Sequence, residues 1–244
     1  MRSNKYVPDD KKREVEWDVL KGILMIYVII GHLDVSEYVR TYIYSFHMPL
    51  FFLISGYFYH PVVNAACISK SSSQRNTLSF TNYLRRVISK KAFALIYPYI
   101  VMLILNYLAW IILYRPENIF SPIIHIFWSN TVDGLPIAGA LWFLTALFFV
   151  FIFALFLDYI KTDGWLIVSI VMFAIIGSVL NLLSFRLPLA IDCAFEGTAF
   201  FELGYYIKNK GLMTIFIHKL SKKWIVVISC ICLLISLPLI FLNG

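Results

Sequence analysis

Apolar residues in this chain fall in long blocks separated by short polar stretches. Seven blocks stand out, at roughly 19–33, 41–59, 93–114, 140–157, 164–183, 188–207 and 224–242. A helix needs about 20 apolar residues to cross roughly 30 Å of hydrocarbon, and most of the blocks come near that length. The pattern predicts an all-α, polytopic transmembrane bundle of about seven helices, a single membrane domain over 1–244. The second block is the weakest, because His47, Pro49 and Gly56 interrupt it. Pro49 has no N–H, so the Ser45 carbonyl loses its helical partner. Broken backbone at membrane depth is tolerated only where protein buries it or where it lines a cavity.

Composition points the same way. Of 244 residues, 60% are hydrophobic and 14% are charged, whereas a soluble domain carries about a quarter charged residues. Mean hydropathy is +0.78. The net charge of +7 resembles a nucleic-acid signal until the charges are placed. With the N-terminus in the cytoplasm, seventeen lysines and arginines fall in inside segments and three (Arg40, Arg115 and Arg186) fall outside. That bias fixes the orientation by the positive-inside rule. It leaves membrane lipid, and no nucleic acid, as the expected partner. The segment 1–18 becomes a cytoplasmic lead, 61–91 a basic cytoplasmic loop and 115–139 an outer loop. No small-residue cleavage pattern follows the first block, so it is expected to stay as a helix. Cys67 lies in a polar loop, and Cys193, Cys230 and Cys232 lie in apolar blocks, as buried free thiols would.

Ionisable residues inside membrane helices are costly and point to function. Lys21 and His32 are eleven residues apart on the first block, which is about three helical turns and roughly 16 Å. His47 is expected at a depth similar to His32. Asp192 and Glu196, spaced i, i+4, share a face of the sixth block. A carboxylate beside an imidazole can orient it and hold its charged form. Glu202 lies deeper on the same block. Arg85, Arg86, Lys90 and Lys91 cluster before the third block, where Arg and Lys can bind phosphate. Each feature also has a plainer reading: a snorkelling lysine, carboxylates that bond neighbouring helices, and basic residues anchored to anionic lipid. Of His32, His47, His60, His125 and His218, only the first two are expected to meet, and no metal site is expected. Together the pattern suggests a path for a long cofactor with an anionic head and a thin reactive arm.

Two motifs sharpen this. The first is Asp18-Val19-Leu20-Lys21-Gly22-Ile23 followed by Gly31-His32; the second is Phe46-His47-Met48-Pro49-Leu50-Phe51-Phe52 with Ser55-Gly56-Tyr57. Weaker echoes are Pro98-Tyr99, Leu141-Trp142-Phe143-Leu144, and Leu187-Pro188 through Asp192 to Gly204-Tyr205. These residues resemble the acyltransferase-3 family of bacterial membrane proteins, most closely its fucose 4-O-acetylase-like group. The family's Arg/Lys-to-His pattern lands on Lys21 and His32. The resemblance implies acetyl-CoA or a related acyl-CoA as donor, a hydroxyl of a surface glycan or its lipid-linked precursor as acceptor, and a multi-pass place in the bacterial inner membrane. It implies His32 as the central catalytic group, with Asp192 or Glu196 orienting its ring. Lys21, Arg85, Arg86, Lys90 and Lys91 would lie on the donor side, and His47 and Trp142 near the acceptor. Family members often have an arginine where this chain has Ala94. They also usually have about ten helices, so the resemblance implies a chain shortened at its C-terminus. The rival readings are a glycan transporter or flippase, which shares broken helices and intramembrane charge, and an inactive truncated paralogue.

Overall fold

The computed structural model describes residues 15–61, 77–116, 118–120, 123, 139–158 and 162–213. They form six α-helices and no strand among the described residues: α1 (Val15–Gly31), α2 (Glu37–Tyr57), α3 (Thr77–Tyr114), α4 (Trp142–Leu157), α5 (Asp163–Leu182) and α6 (Ile191–Asn209). A 3-10 turn, Pro188–Ala190, leads into α6. The seventh apolar block, with Cys230 and Cys232, lies outside the described residues, as do Cys67, His125, His218, the lead 1–14 and most of the segment 115–139.

Two helical stretches, Leu84–Tyr114 and Gly164–Leu182, are long and apolar enough to cross a membrane, and α4 is apolar but shorter. Their outer faces are apolar too. On α3, Ile104, Leu105, Leu108 and Ile112 are exposed; on α5, Ile167, Val168, Val171, Met172, Ile175 and Val179 are exposed. Contiguous apolar stripes of this kind are a liability in water and ordinary against hydrocarbon.

The described residues divide into two units, one ending at Phe51 and one beginning at Phe52. The division falls inside α2, just after the proline in that helix. The first unit is a helical hairpin, α1 turning into the first part of α2. The turn is closed by the N–H of His32 on the Ile29 carbonyl (3.1 Å) and of Leu33 on the Ile30 carbonyl (3.0 Å). Tyr27 and Phe46 meet edge to face at 5.3 Å.

The second unit is a packed bundle. α5 lies along α6, α6 along α4, and α4 along α3. On α4, Ala146, Val150 and Ala154 recur every fourth residue and are fully enclosed, so a narrow stripe of small side chains faces the core. Phe52, Tyr59, Phe151 and Phe201 fill the space opposite. Small residues let backbones approach closely. A Cβ on Gly56 would run into the Phe201 carbonyl, and one on Gly204 into the Leu53 carbonyl.

Two boundaries differ from the sequence pattern. α3 begins at Thr77, well before its apolar block, and runs for 38 residues without a break. Residues 77–91 contain no Gly or Pro, so nothing in them stops a helix. The sixth block begins near 188 in sequence, but α6 starts at Ile191. Leu189 (φ 56°) and Ala190 (φ 61°) both adopt the left-handed region, which costs a residue with a Cβ roughly 1–2 kcal/mol.

Candidate functional site

In the first unit the chemistry gathers around Tyr44. α1 ends at Gly31, so the helical register that starts at Lys21 stops one residue short of His32, whose ring hangs from the turn and is exposed. Tyr44 donates its hydroxyl to the Gly31 carbonyl at 2.9 Å. That bond sets its ring against both imidazoles: 6.2 Å from His32 and 5.3 Å from His47. Gly31 permits the arrangement, because a Cβ there would lie 2.7 Å from the Tyr44 ring.

His47 is buried, with 4% of its surface exposed. Its Nδ1 lies 2.6 Å from the Ile43 carbonyl. A carbonyl only accepts, so Nδ1 carries a hydrogen, and in the neutral ring Nε2 keeps its lone pair. Lys21 sits further back on α1, its Nζ 3.8 Å from Asp18 Oδ1 across one turn.

In the second unit the carboxylates lie at the start of α6. Asp192 is 7% exposed. Arg186 Nη1 donates to its Oδ2 at 3.3 Å and the Leu187 N–H points to its Oδ1 at 3.4 Å. Asp192 thus ties down the turn that precedes its own helix. The Cys193 thiol also points to Oδ2, at 3.8 Å. Glu196, one turn on, is exposed. A cavity of about 140 Å³ opens here between α5 and α6, and Asn181, Ser184, Phe185, Arg186, Asp192 and Glu196 are among its lining residues. Gly177 of α5 lets the helices close at this point, since a Cβ would lie 2.8 Å from the Glu196 backbone nitrogen.

The basic cluster divides. Arg85, Arg86 and Lys90 are exposed on α3. Lys91, the next residue and so turned about 100° around the helix, is half-buried and places its Nζ 3.8 Å above the Phe151 ring, a cation–π contact that removes it from the exposed set. Trp142 opens α4 and packs partly buried against the core.

Three features escaped the sequence reading. Tyr44 shows no signal in sequence beyond lying three residues before His47. Arg186, read as an outer-loop charge, is the partner of Asp192. The third is a buried pair: Tyr59 donates its hydroxyl to Asp158 Oδ2 at 2.6 Å, across 99 residues of chain. Among the described residues no three His, Cys, Asp or Glu side chains gather to hold a metal ion.

Residues 14–244 match the family described as an acyltransferase domain. A stretch of 57 residues is 44% identical to nodulation protein NolL of Sinorhizobium fredii, covering 18% of this chain and 15% of that protein. A stretch of 74 residues is 40% identical to nodulation protein NolL of Mesorhizobium japonicum, covering 25% of this chain and 18% of that protein. The chain thus spans less than a fifth of the length of these relatives in each alignment. No solved structure matches it.

Proposed function

The chain belongs to the acyltransferase family, and from that premise we propose that it moves an acetyl or similar acyl group from an acyl-CoA to a hydroxyl of a cell-surface glycan or its lipid-linked precursor. The observation that carries the reading is the arrangement of His32, Tyr44 and His47 within the matched region. His32 is exposed to solvent at the end of a helix, where an acceptor hydroxyl can reach it. In this reading His32 takes the proton from the acceptor hydroxyl as that oxygen attacks the thioester carbonyl. The carbon–sulfur bond breaks, CoA leaves as the thiolate, and the proton on His32 returns to it. Tyr44, held by the Gly31 carbonyl, packs against the His32 ring and limits its rotation. His47, its tautomer set by Ile43, stands behind Tyr44 on the acceptor side.

The donor side rests on α3. Arg85, Arg86 and Lys90 are exposed cations, suited to the phosphates of CoA, whereas Lys21 of the first unit is paired with Asp18. Asp192 holds its own turn through Arg186. The apolar faces of α3 and α5 support a place in a membrane, and the reading sets it as multi-pass in a bacterial inner membrane, with the charge bias placing the N-terminus in the cytoplasm.

The test is transfer from radiolabelled acetyl-CoA to surface glycan in membranes that contain the chain. His32→Ala is expected to cut label in the glycan by at least about a hundredfold while the protein still inserts. Full transfer by His32→Ala would sink the scheme.

A further inference from the structure

The cavity between α5 and α6 has a lining that fits one class of ligand. Its volume is about 140 Å³, room for roughly four or five waters at ~30 Å³ each. That is well below the ~300–1,000 Å³ of pockets for larger ligands, so it can seat one face of a single ring, the rest standing in its open mouth, and no chain. Its charges nearly cancel, because Arg186 is paired with Asp192, which leaves Glu196 as the one uncompensated charge among the lining residues. A free anion would meet that carboxylate, and a divalent cation would find too few ligands beside it. What remains is a mixed set of donors and acceptors: the Asn181 amide, the Ser184 hydroxyl, the outer guanidinium edge of Arg186 and the Glu196 carboxylate. Each hydroxyl of a sugar is both donor and acceptor, and this set can answer several at once. Phe185, also in the lining and exposed, supplies an apolar face of the kind that packs against the C–H side of a sugar ring.

The backbone gives a second, independent pointer. Among the described residues four non-glycine positions have positive φ, and three of them, Ser184, Leu189 and Ala190, lie in the turn that frames this cavity. Strain of that kind persists where surrounding structure holds it, and it clusters at ligand sites. Here the turn is held by Asp192, which accepts from Arg186 and from the Leu187 N–H. Gly177 adds to the shape by letting α5 approach the Glu196 backbone.

We propose that the α5–α6 cavity binds one neutral sugar ring of the acceptor, held by Asn181, Arg186 and Glu196 and packed on Phe185. The proposal rests on the acyl-transfer reading for its role, but the binding itself stands apart from the chemistry.

The experiment uses the full chain in lipid nanodiscs, with the methyl glycosides of glucose, galactose and N-acetylglucosamine as probes. Saturation-transfer NMR reads binding, and radiolabelled acetyl-CoA reads transfer to the same probes in the same preparation. At least one neutral glycoside is expected to bind, and an excess of glucuronate or phosphate is expected not to displace it. Asn181→Ala and Phe185→Ala, both at exposed positions, are each expected to weaken binding about tenfold. They should raise the acceptor KM by a similar factor and change kcat far less. Binding with these losses but no transfer by the unmodified chain would keep the cavity and remove the acyl-transfer reading. Transfer with an acceptor KM unmoved by both variants would do the reverse. No glycoside binding to folded protein, or displacement by the anions, would overturn the proposal.

Discussion

The two units differ in how far their polar side chains reach. In the first, hydroxyls, rings and guanidinium bond to backbone carbonyls of their own hairpin: Tyr44 to Gly31, Ser45 to Tyr42 (2.7 Å), His47 to Ile43, Arg40 to Leu33 (3.4 Å). The second unit has local bonds of this kind too, such as Thr145 to Trp142, Ser169 to Leu166 and Thr198 to Ala194, but it adds hydrogen bonds between side chains of different elements or turns: Tyr59 to Asp158 and Arg186 to Asp192. Bonds to a hairpin's own backbone fix ring directions and tautomers with little hold on the rest of the fold. Bonds between distant side chains fix helices against each other. Under the proposed function, the first unit is the chemical part and the second the scaffold and binding surface.

The largest effect that can break this comparison is at His32. His32→Ala is expected to lower transfer about a thousandfold, equivalent to ~4 kcal/mol of barrier, with the thermal unfolding midpoint unchanged. A drop in that midpoint alongside the activity would show that His32 also supports the fold. The next effect belongs to the second unit. Gly204→Val places a side chain against the Leu53 carbonyl and is expected to destabilise by ~3 kcal/mol, read as a shift in a denaturant titration in detergent. A smaller loss, ~2 kcal/mol, is expected for Tyr59→Phe, which removes the hydroxyl that bonds Asp158. Smallest is the donor side. Arg85→Ala with Arg86→Ala is expected to raise the acyl-CoA KM about tenfold, an effect that shrinks as salt rises, whereas Lys91→Met should leave that KM near its starting value. Equal effects from Lys91 and the arginines would return Lys91 to the donor set.

Much of the helical layout was legible in sequence because apolar blocks report directly on what must be kept from water. The blocks at 140–157 and 164–183 match α4 and α5 to within two residues. Residues 77–91 were not legible as helix, because their polar character hides a helix from a reading that looks for apolar runs. The start of α6 was missed for another reason. Leu189 and Ala190 take a left-handed conformation that sequence associates with Gly or Asn, and only the packed turn around Asp192 holds them there. At the site, spacing placed Asp192 and Glu196 on one face, and both line one cavity. Spacing did not reveal that Arg186 already occupies Asp192, nor that Tyr44 touches both imidazoles, because such partnerships depend on how chain segments meet.

The uninterrupted α3 has a mechanical side. At 38 residues it is about 57 Å long, nearly twice the ~30 Å of hydrocarbon in a bilayer. Pro98 sits inside it and removes one rung of its hydrogen-bond ladder. Arg85 lies thirteen residues before Pro98, about 20 Å along the axis. Any bend in this helix would have its weakest point at the proline. A bend of ~20°, the size at which helix kinks are recognised, would sweep the arginines through roughly 7 Å. Small changes of angle in the apolar shaft are magnified into large changes of reach at the basic tip.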